Sequence, residues 1–313
     1  TRLSTPAFTR KDREDTDLAI ELEADFLALS FVRARSDLDH LHRHLRRRGA
    51  DIPVIAKIEK PEALEHIDDI LDHSYGIMIA RGDLGIEIPA ERVPLVQEQL
   101  IHLARRRNRP VIVATQMMES MIENPRPTRA EVADVAIAAE TSTDCVMLSG
   151  ETAIGRFPVQ TVQTMERILL EVERHQVSQG RFCPDCPVDL AQARLPVREA
   201  VSNAVLSLSR DLALDAIVVP TRGGTTARVI AARRPLSPIH VVSSDPRTLR
   251  RTALHWGLNP VQVTRSHIRD WHRLLEHLVR HRHCRSGGTA LVVSGFHDDP
   301  ALNEPAMKIL AIR

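Results

Sequence analysis

Two short apolar runs end at charged residues whose types and spacing could support chemistry. Residues 54–59 read VIAKIE, and residues 76–85 read GIMIARGDLG. Lys57 and Glu59 stand two residues apart on a predicted strand, so both side chains leave the same face. Asp83 follows a glycine, where backbone N–H groups can closely approach an anion. Two carboxylates from neighbouring strand ends suit a hard divalent cation such as Mg²⁺, and the lysine suits a phosphate or a developing enolate.

The composition of the chain gives the lysine more weight. The 42 basic residues include only four lysines, and Lys57 is one of them. A lysine at a strand end in so arginine-rich a sequence is hard to explain as drift. The alternative is an ammonium group that merely caps the mouth of a barrel. Polar groups at this end of parallel strands usually serve an active site, which favours the first interpretation.

Length and composition bound the class of protein. A chain of 313 residues predicts about two domains, and 43% hydrophobic with 27% charged residues is typical of globular proteins. A net charge of +1 and an aromatic content of 3% argue against a nucleic-acid surface. The sequence has neither a long apolar span nor a signal peptide, so we expect a cytoplasmic protein that binds no membrane. Because residue 1 is Thr rather than Met, we expect the sequence to be part of a longer chain.

The first part of the chain alternates strands and helices. We predict five strands with polar residues at their C-terminal ends: 24–32, 53–58, 76–81, 110–117 and 144–152. Ser36 and Thr128 are predicted helix N-caps, and Glu131 completes a capping box with Thr128. Five β/α units in residues 1–173 predict an incomplete (β/α)₈ TIM-type barrel, whose open sheet edges a natural protein would cover.

Residues 174–193 are predicted to be a linker. They contain Cys183 and Cys186 at a spacing that zinc ligands use, but a zinc site needs a second pair of ligands. In principle His281 or His283 with Cys284 could supply it. We favour a surface linker with incidental cysteines.

A smaller α/β domain of three layers is predicted from residue 194 to 313. Its predicted strands are 215–219, 238–242, 260–263, 289–293 and a short one near 308–312. Between its first strand and the helix that follows that strand, hydroxyls and glycines combine with a helix N-terminus in the segment Thr221, Arg222, Gly223, Gly224, Thr225 and Thr226. This segment is either a small anion-binding nest or a plain strand-to-helix turn.

Five sequence blocks, taken in order and spacing, resemble the pyruvate kinase family. They are AKIE at 56–59, MIARGDLG at 78–85, ATQM at 114–117, NPRPTRAE at 124–131 and MLSGETA at 147–153. Five such blocks together are far more specific than a single glycine motif. The resemblance implies the barrel and the C-terminal α/β domain of that family. It also implies phosphoryl transfer from phosphoenolpyruvate to ADP, which gives pyruvate and ATP in glycolysis.

The resemblance assigns binding roles to the first two strand ends. It implies that Glu59 and Asp83 hold Mg²⁺ or Mn²⁺ and that Lys57 steadies charge on the phosphoryl group in flight. It further implies that backbone N–H groups around Arg81, Gly82 and Asp83 take the carboxylate of the substrate.

The resemblance also assigns roles further along the chain. It implies that Thr115 lies near the enolate carbon that is protonated, and that Ser149 and Glu151 serve the proton-delivering water network. Arg129 resembles an arginine that braces an active site near a subunit interface, which implies a homotetramer. Residues 221–226 correspond to the loop that binds a sugar-phosphate effector.

Some family features are absent from these 313 residues. The first three barrel strands are missing, with the substrate-binding arginine and the K⁺ ligands, and so is the small lid domain over the nucleotide. Ile137 and Ser142 replace an Asn and a Gly, Gly223 replaces a serine of the effector loop, and 299–303 lacks a glycine–threonine pair. We therefore expect weak or absent kinase activity from these residues alone, and the identity of any effector stays open.

Two other functions fit part of the pattern. A metal-dependent oxo-acid lyase or aldolase would use the same enolate chemistry in a barrel, but it would not need the second domain. A non-catalytic regulatory protein would bind sugar phosphates through residues 221–226. The presence of Lys57, Glu59, Asp83 and Thr115 together speaks against an abandoned site.

Overall fold

The computed structural model describes residues 6–179 and 195–312, which form two compact units that divide after Gln176. The predicted linker at 174–193 overlaps the end of a helix. The last helix of the first unit runs to Ser178, because no glycine or proline interrupts the chain before Gly180. The part of the predicted linker from 180 on, with Cys183 and Cys186, lies outside the described residues.

The first unit is a parallel sheet with helices between its strands. Its strands are β1 Leu27–Leu29, β2 Val54–Ile58, β3 Gly76–Ala80, β4 Val111–Ala114 and β5 Cys145–Met147. Its helices are α1 Arg10–Glu21, α2 Arg35–Arg47, α3 Pro61–Glu65, α4 Ile67–His73, α5 Arg81–Glu87, α6 Val93–Arg106, α7 Arg129–Glu140, α8 Gly150–Ala153 and α9 Pro158–Ser178. The strand order is β1-β2-β3-β4-β5, and each strand pairs in parallel with its neighbour.

The central strands form the core of this unit. Every residue of β3 and β4 is buried, as expected for central strands of a parallel sheet. Gly76 opens β3 beside Pro110, and a Cβ atom at this position would lie 2.5 Å from the Pro110 carbonyl oxygen. Only glycine therefore allows β3 to begin so close to the chain that leads into β4.

Two predicted helix caps have different outcomes. Thr128 is the N-cap of α7, and it exchanges hydrogen bonds with Glu131 in the predicted capping box. Ser36 is not an N-cap, because α2 begins at Arg35 with Ala34 as its N-cap residue. The Asp37 carboxylate accepts hydrogen bonds from the backbone N–H groups of Arg33 and Ala34, at 2.9 and 3.3 Å. An acid in the first turn thus replaces the predicted serine cap.

The second unit is a mixed sheet between two layers of helices. Its strands are β6 Ala216–Pro220, β7 Ile239–Ser243, β8 Leu258–Gln262, β9 Thr289–Ser294 and β10 Ala306–Ala311. Its helices are α10 Val197–Asp211, α11 Thr225–Ala231, α12 Pro246–Thr252, α13 Arg265–Arg269 and α14 Trp271–Arg280. The order is β10-β9-β6-β7-β8, with only β10 antiparallel. Separate apolar clusters lie on its two faces.

These two sheets confirm the predicted α/β class, with a five-stranded parallel sheet of barrel type followed by a smaller α/β domain. Within the described ranges, no helix combines the length and the apolar character that a membrane crossing requires.

Candidate active site

The candidate site lies at one edge of the first sheet. Because β1 to β5 are parallel, their C-terminal ends share this edge. Polar residues follow each strand there. They are Ser30 after β1, Glu59 after β2, Arg81 and Asp83 after β3, Thr115 after β4, and Ser149 after β5.

A short ion pair joins Lys57 and Glu59. The distance from Lys57 Nζ to Glu59 Oε1 is 2.6 Å, and Lys57 Nζ also donates to Ser30 Oγ at 2.9 Å. The Glu59 side chain is 1% exposed and that of Lys57 is 24% exposed. The ammonium group therefore lies at the surface of the site above a buried carboxylate.

The second oxygen of Glu59 binds the main chain beside β1. Phe31 N–H donates to Glu59 Oε2 at 2.7 Å, from a residue in the left-handed region with φ +57°. A left-handed conformation is unfavourable for a bulky side chain, so surrounding structure must hold it. The hydrogen bond to Glu59 is one such restraint. Glu59 thereby links the ends of β1 and β2.

Asp83 lies in the first turn of α5, directly after β3. Because Ile58 pairs with Ile79, Glu59 and α5 follow neighbouring strands at the same edge of the sheet. The Asp83 side chain is exposed and makes no hydrogen bond or ion pair with any described residue. An acid at the N-terminus of a helix also meets a favourable dipole. Asp83 is free to bind a ligand at the edge of the site.

The donor set fits a hard divalent cation. Glu59 and Asp83 offer carboxylate oxygens, and Mg²⁺ commonly takes one or two carboxylates and completes its shell with water and phosphate oxygens. Among the described residues, no three side chains of the kinds that bind metals form a complete protein cage. Two carboxylates would leave the rest of the coordination shell to water and substrate oxygens.

Arg81 connects the ends of β3 and β4. Its Nη2 donates to the carbonyl oxygens of Thr115 at 3.0 Å and Gln116 at 2.7 Å, and its Nη1 lies 3.5 Å from Asp134 Oδ1. Burial lowers the pKa of Arg81, and the Asp134 carboxylate opposes this change. The guanidinium group thus holds the backbone that follows β4 against the end of β3.

The side chain of Thr115 also joins the ends of β3 and β4. Gly82 N–H donates to Thr115 Oγ1 at 2.8 Å, and Thr115 Oγ1 donates to the Ala114 carbonyl at 2.6 Å. Thr115 and Gln116 both have left-handed backbones, with φ +67° and +52°. Two adjacent non-glycine residues in this region indicate stored strain of the kind found at functional sites. Together with Arg81, these contacts form a clasp between β3 and β4.

Glu151 secures the end of β5. Its side chain is buried, and its two oxygens accept from Met118 N–H at 3.2 Å and Ser149 N–H at 2.7 Å. Ser149 is exposed beside it. The pair therefore lies at the same edge of the sheet, with Glu151 holding the loops after β4 and β5 together.

Arg129 is the first residue of α7, and its side chain is exposed. It has no hydrogen bond or ion pair with another described residue. The capping box beside it fixes the start of the helix. This exposure leaves the guanidinium group available to another molecule.

The predicted effector loop lines a cavity of about 400 Å³ in the second unit. Gly224 has φ +87°, and its N–H donates to Thr221 Oγ1 at 3.0 Å. Thr225 Oγ1 and Arg228 Nη2 both donate to Asp298 Oδ1, at 2.7 and 3.1 Å. A carboxylate of the chain itself therefore occupies one hydroxyl of the predicted loop, that of Thr225, together with the neighbouring Arg228.

The structure brings the predicted residues of the first unit to one edge and leaves the loop at 221–226 in the other unit. Sequence reasoning missed Ser30 and Phe31 as partners of Lys57 and Glu59. It also missed that the side chain of Arg81 holds two carbonyl oxygens. Only the abrupt change from an apolar run to an arginine indicated that Arg81 had a special place.

Two family models match the chain. A model described as the barrel domain of pyruvate kinase matches residues 1–162, and one described as its alpha/beta domain matches residues 199–310.

Curated relatives give the same result. The chain is 43% identical over 261 residues to pyruvate kinase 2 of Synechocystis, which covers 83% of this chain and 43% of that protein. It is 40% identical over 315 residues to a pyruvate kinase of Sporosarcina psychrophila, and this match covers 98% of this chain and 52% of that protein. It is 43% identical over 258 residues to a pyruvate kinase of Geobacillus stearothermophilus, and this match covers 82% of this chain and 43% of that protein. The chain thus spans about half the length of these relatives.

Proposed function

The chain belongs to the pyruvate kinase family, and from this membership we propose that its protein transfers a phosphoryl group from phosphoenolpyruvate to ADP. The observation that carries the proposal is the buried Glu59 carboxylate under the Lys57 ammonium, with the unpaired Asp83 at the same edge. This combination suits a reaction in which negative charge moves between a phosphoryl group and an enolate.

We propose that Glu59 and Asp83 hold Mg²⁺ or Mn²⁺, which supplies positive charge to phosphate and enolate oxygens when bound. Lys57 adds an ammonium group to that charge, and its contacts with Glu59 and Ser30 orient it. The enolate left after transfer becomes pyruvate when its methylene carbon accepts a proton. A family requirement for K⁺ would have to be met by groups that these 313 residues do not include.

We also propose that the substrate carboxylate competes with Thr115 for one backbone donor. Gly82 N–H is bound to Thr115 Oγ1. A carboxylate that takes this N–H would release the hydroxyl of Thr115 toward the reacting carbon. Ser149 and Glu151 remain candidates for the water network that brings the proton.

The test uses the half of the reaction that needs no nucleotide. We expect the 313-residue chain to catalyse exchange of the pyruvate methyl protons with D₂O, followed by NMR, only when Mg²⁺ is present. Glu59→Gln and Asp83→Asn should each lower the exchange rate and weaken Mn²⁺ binding by about tenfold or more. Phosphoryl transfer to ADP by the same chain should be weak.

Glu65→Gln is the matched control, because Glu65 is an exposed acid on α3 without an ion pair to a described residue. It should change neither quantity by more than about twofold. Exchange without metal, or Mn²⁺ binding that survives both substitutions, would contradict the assignment of the two carboxylates. Carbon–carbon cleavage of oxo-acids would favour the lyase instead.

A second proposed role concerns the loop at 221–226, which we propose binds a sugar phosphate after Asp298 moves away. The hydrogen bonds that Thr225 and Arg228 donate to the Asp298 carboxylate support this proposal, because they show that these two groups can hold an anion together. A thermal-shift titration with fructose 1,6-bisphosphate should give tighter binding for Asp298→Asn than for the unchanged chain. Equal or weaker binding would count against it. A cytoplasmic location and a homotetramer braced by Arg129 also stay proposals.

A further inference from the structure

A second concave site lies on the helical side of the first unit, away from the sheet edge described above. It is a cavity of about 490 Å³ between the segment before α1, the start of α1 and the length of α2. Its lining includes Phe8, Arg13, His40, Arg43, His44 and Arg47. No site was predicted here, because arginines near the end of α2 have an ordinary explanation as complements of the helix dipole.

The cationic side chains come from one face of α2. His40, Arg43, His44 and Arg47 have the spacing i, i+3, i+4, i+7, which places them along a single stripe of a helix. Arg13 approaches from α1, and its guanidinium carbon lies 5.8 Å from the Phe8 ring centroid. Residues from three segments thus face the same cavity, which a helix dipole does not require.

The three arginines that line this cavity are not neutralised by any carboxylate in the part of the chain that the structure describes. In the described ranges, neither Arg13, Arg43 nor Arg47 forms an ion pair. Other arginines of the same region do so, since Arg35 pairs with Asp39 and Arg48 with Asp17. The Asp17 carboxylate also lies 2.8 Å from Nε2 of His44, and it forms no ion pair with Arg13, Arg43 or Arg47 among the described residues. The cavity therefore carries three arginine charges that no carboxylate of the described residues pairs with.

We propose that this cavity binds a small compound with two or more phosphate groups. A concave surface lined by one sign of charge focuses its field on a ligand of opposite sign. A guanidinium group can donate two parallel hydrogen bonds to the oxygens of one phosphate, and three guanidinium groups line this cavity. The buried Phe8 holds the segment that closes the cavity, because its ring packs against His44 with centroids 5.8 Å apart.

The test uses the 313-residue chain and pyrophosphate as the probe, without divalent metal so that Glu59 and Asp83 cannot contribute. We expect calorimetry to show binding that weakens with added salt. Hydrogen exchange should slow in peptides that span 6–16 and 35–48. Arg47→Glu and Arg43→Gln should each weaken binding by about tenfold or more, because each removes a charge-assisted contact.

Arg46→Glu is the matched control for Arg47→Glu. Arg46 lies in the same turn of α2 but does not line the cavity. Its replacement by Glu changes the net charge of the chain and the charge at the helix end by the same amount as Arg47→Glu does. It should weaken binding by less than about threefold. Equal losses for the two variants would overturn the proposal, since they would indicate general charge attraction.

Two further results would overturn it. One is the absence of pyrophosphate binding to the unchanged chain. The other is slower hydrogen exchange only at 221–228 or at the sheet edge, which would assign the phosphate to another site. If Arg47→Glu fails to fold, Arg43→Gln and the exchange pattern decide the question.

Discussion

At the scale of single residues, the site depends on a buried carboxylate that has one partner on each of its two oxygens. Glu59 binds an ammonium group on one oxygen and a backbone N–H on the other. Removing the charged partner of a buried carboxylate is strongly destabilising, because it leaves a buried charge uncompensated. Changes at Lys57 should therefore affect both catalysis and stability, and the two effects need separate measurements.

Lys57→Met should lower methyl exchange of pyruvate by about 100-fold or more, because it removes the positive charge beside the enolate. It should also lower the free energy of unfolding, measured by urea denaturation, because Glu59 loses its partner. Lys11→Met is the control, since Lys11 pairs only with the exposed Asp15 on α1. A Lys57→Met variant with the full exchange rate would remove Lys57 from the chemistry.

Thr115 offers a second test at this scale. Thr115→Val keeps the shape of the side chain but leaves Gly82 N–H without its partner. We expect the exchange rate to fall at least about tenfold, while Thr115→Ser restores most of it because the hydroxyl returns. Equal rates for the valine and serine variants would show that the hydroxyl is not needed.

At the scale of elements, the capping box of α7 positions the segment that carries Arg129. Thr128→Ala should lower the free energy of unfolding by about 1 kcal/mol, because it removes the side-chain acceptor at the N-cap. Thermal or urea unfolding measures this change. Thr152→Ala is a control, since Thr152 makes only a 3.3 Å hydrogen bond to the Ser149 carbonyl. A loss as large in the control would indicate that the cap itself contributes little.

The same cap predicts a dependence on pH. Burial would raise the pKa of Glu131, but hydrogen bonds from Ser120 and Thr128 outweigh it and lower the pKa. A lowered pKa in the folded state means that the contribution of Glu131 is present above the ordinary value of about 4.3 and is lost as the pH falls through the folded pKa. Stability measured between pH 6 and pH 3 should therefore fall less for Glu131→Gln than for the unchanged chain.

The elements show where sequence reasoning succeeds and where it stops. Apolar runs predicted the five strands of each sheet, and the central strands β3 and β4 are buried throughout, as expected for such runs. Their ends were predicted too long, as at β5, which covers only Cys145–Met147. The residues beyond it are held by Glu151 and a short helix, and these contacts depend on distant loops. The Arg81–Thr115 clasp was beyond prediction for the same reason.

At the scale of the whole molecule, each of the two described units has apolar clusters of its own. The sheet of the second unit has apolar clusters on both faces within residues 195–312. A domain of this size can bury enough surface to fold alone. We expect a shorter chain of residues 195–313 to unfold cooperatively in urea.

Leu291→Ala tests this independence. Leu291 is fully buried on β9, so the change should cost about 2–5 kcal/mol in the shorter chain and about the same for this unit in the full chain. Leu302→Ala, at a residue 58% exposed, should cost less than about 0.5 kcal/mol. A shorter chain without a cooperative transition would show that the second unit depends on the first.

The clasp between β3 and β4 has a practical consequence. The Gly82 amide proton is held by a side chain and not by the regular ladder, so its exchange with solvent reports on that single contact. An NMR signal at this position would tell whether the active region is assembled before any substrate is added. It would also separate variants that distort the region from variants that only remove a reacting group.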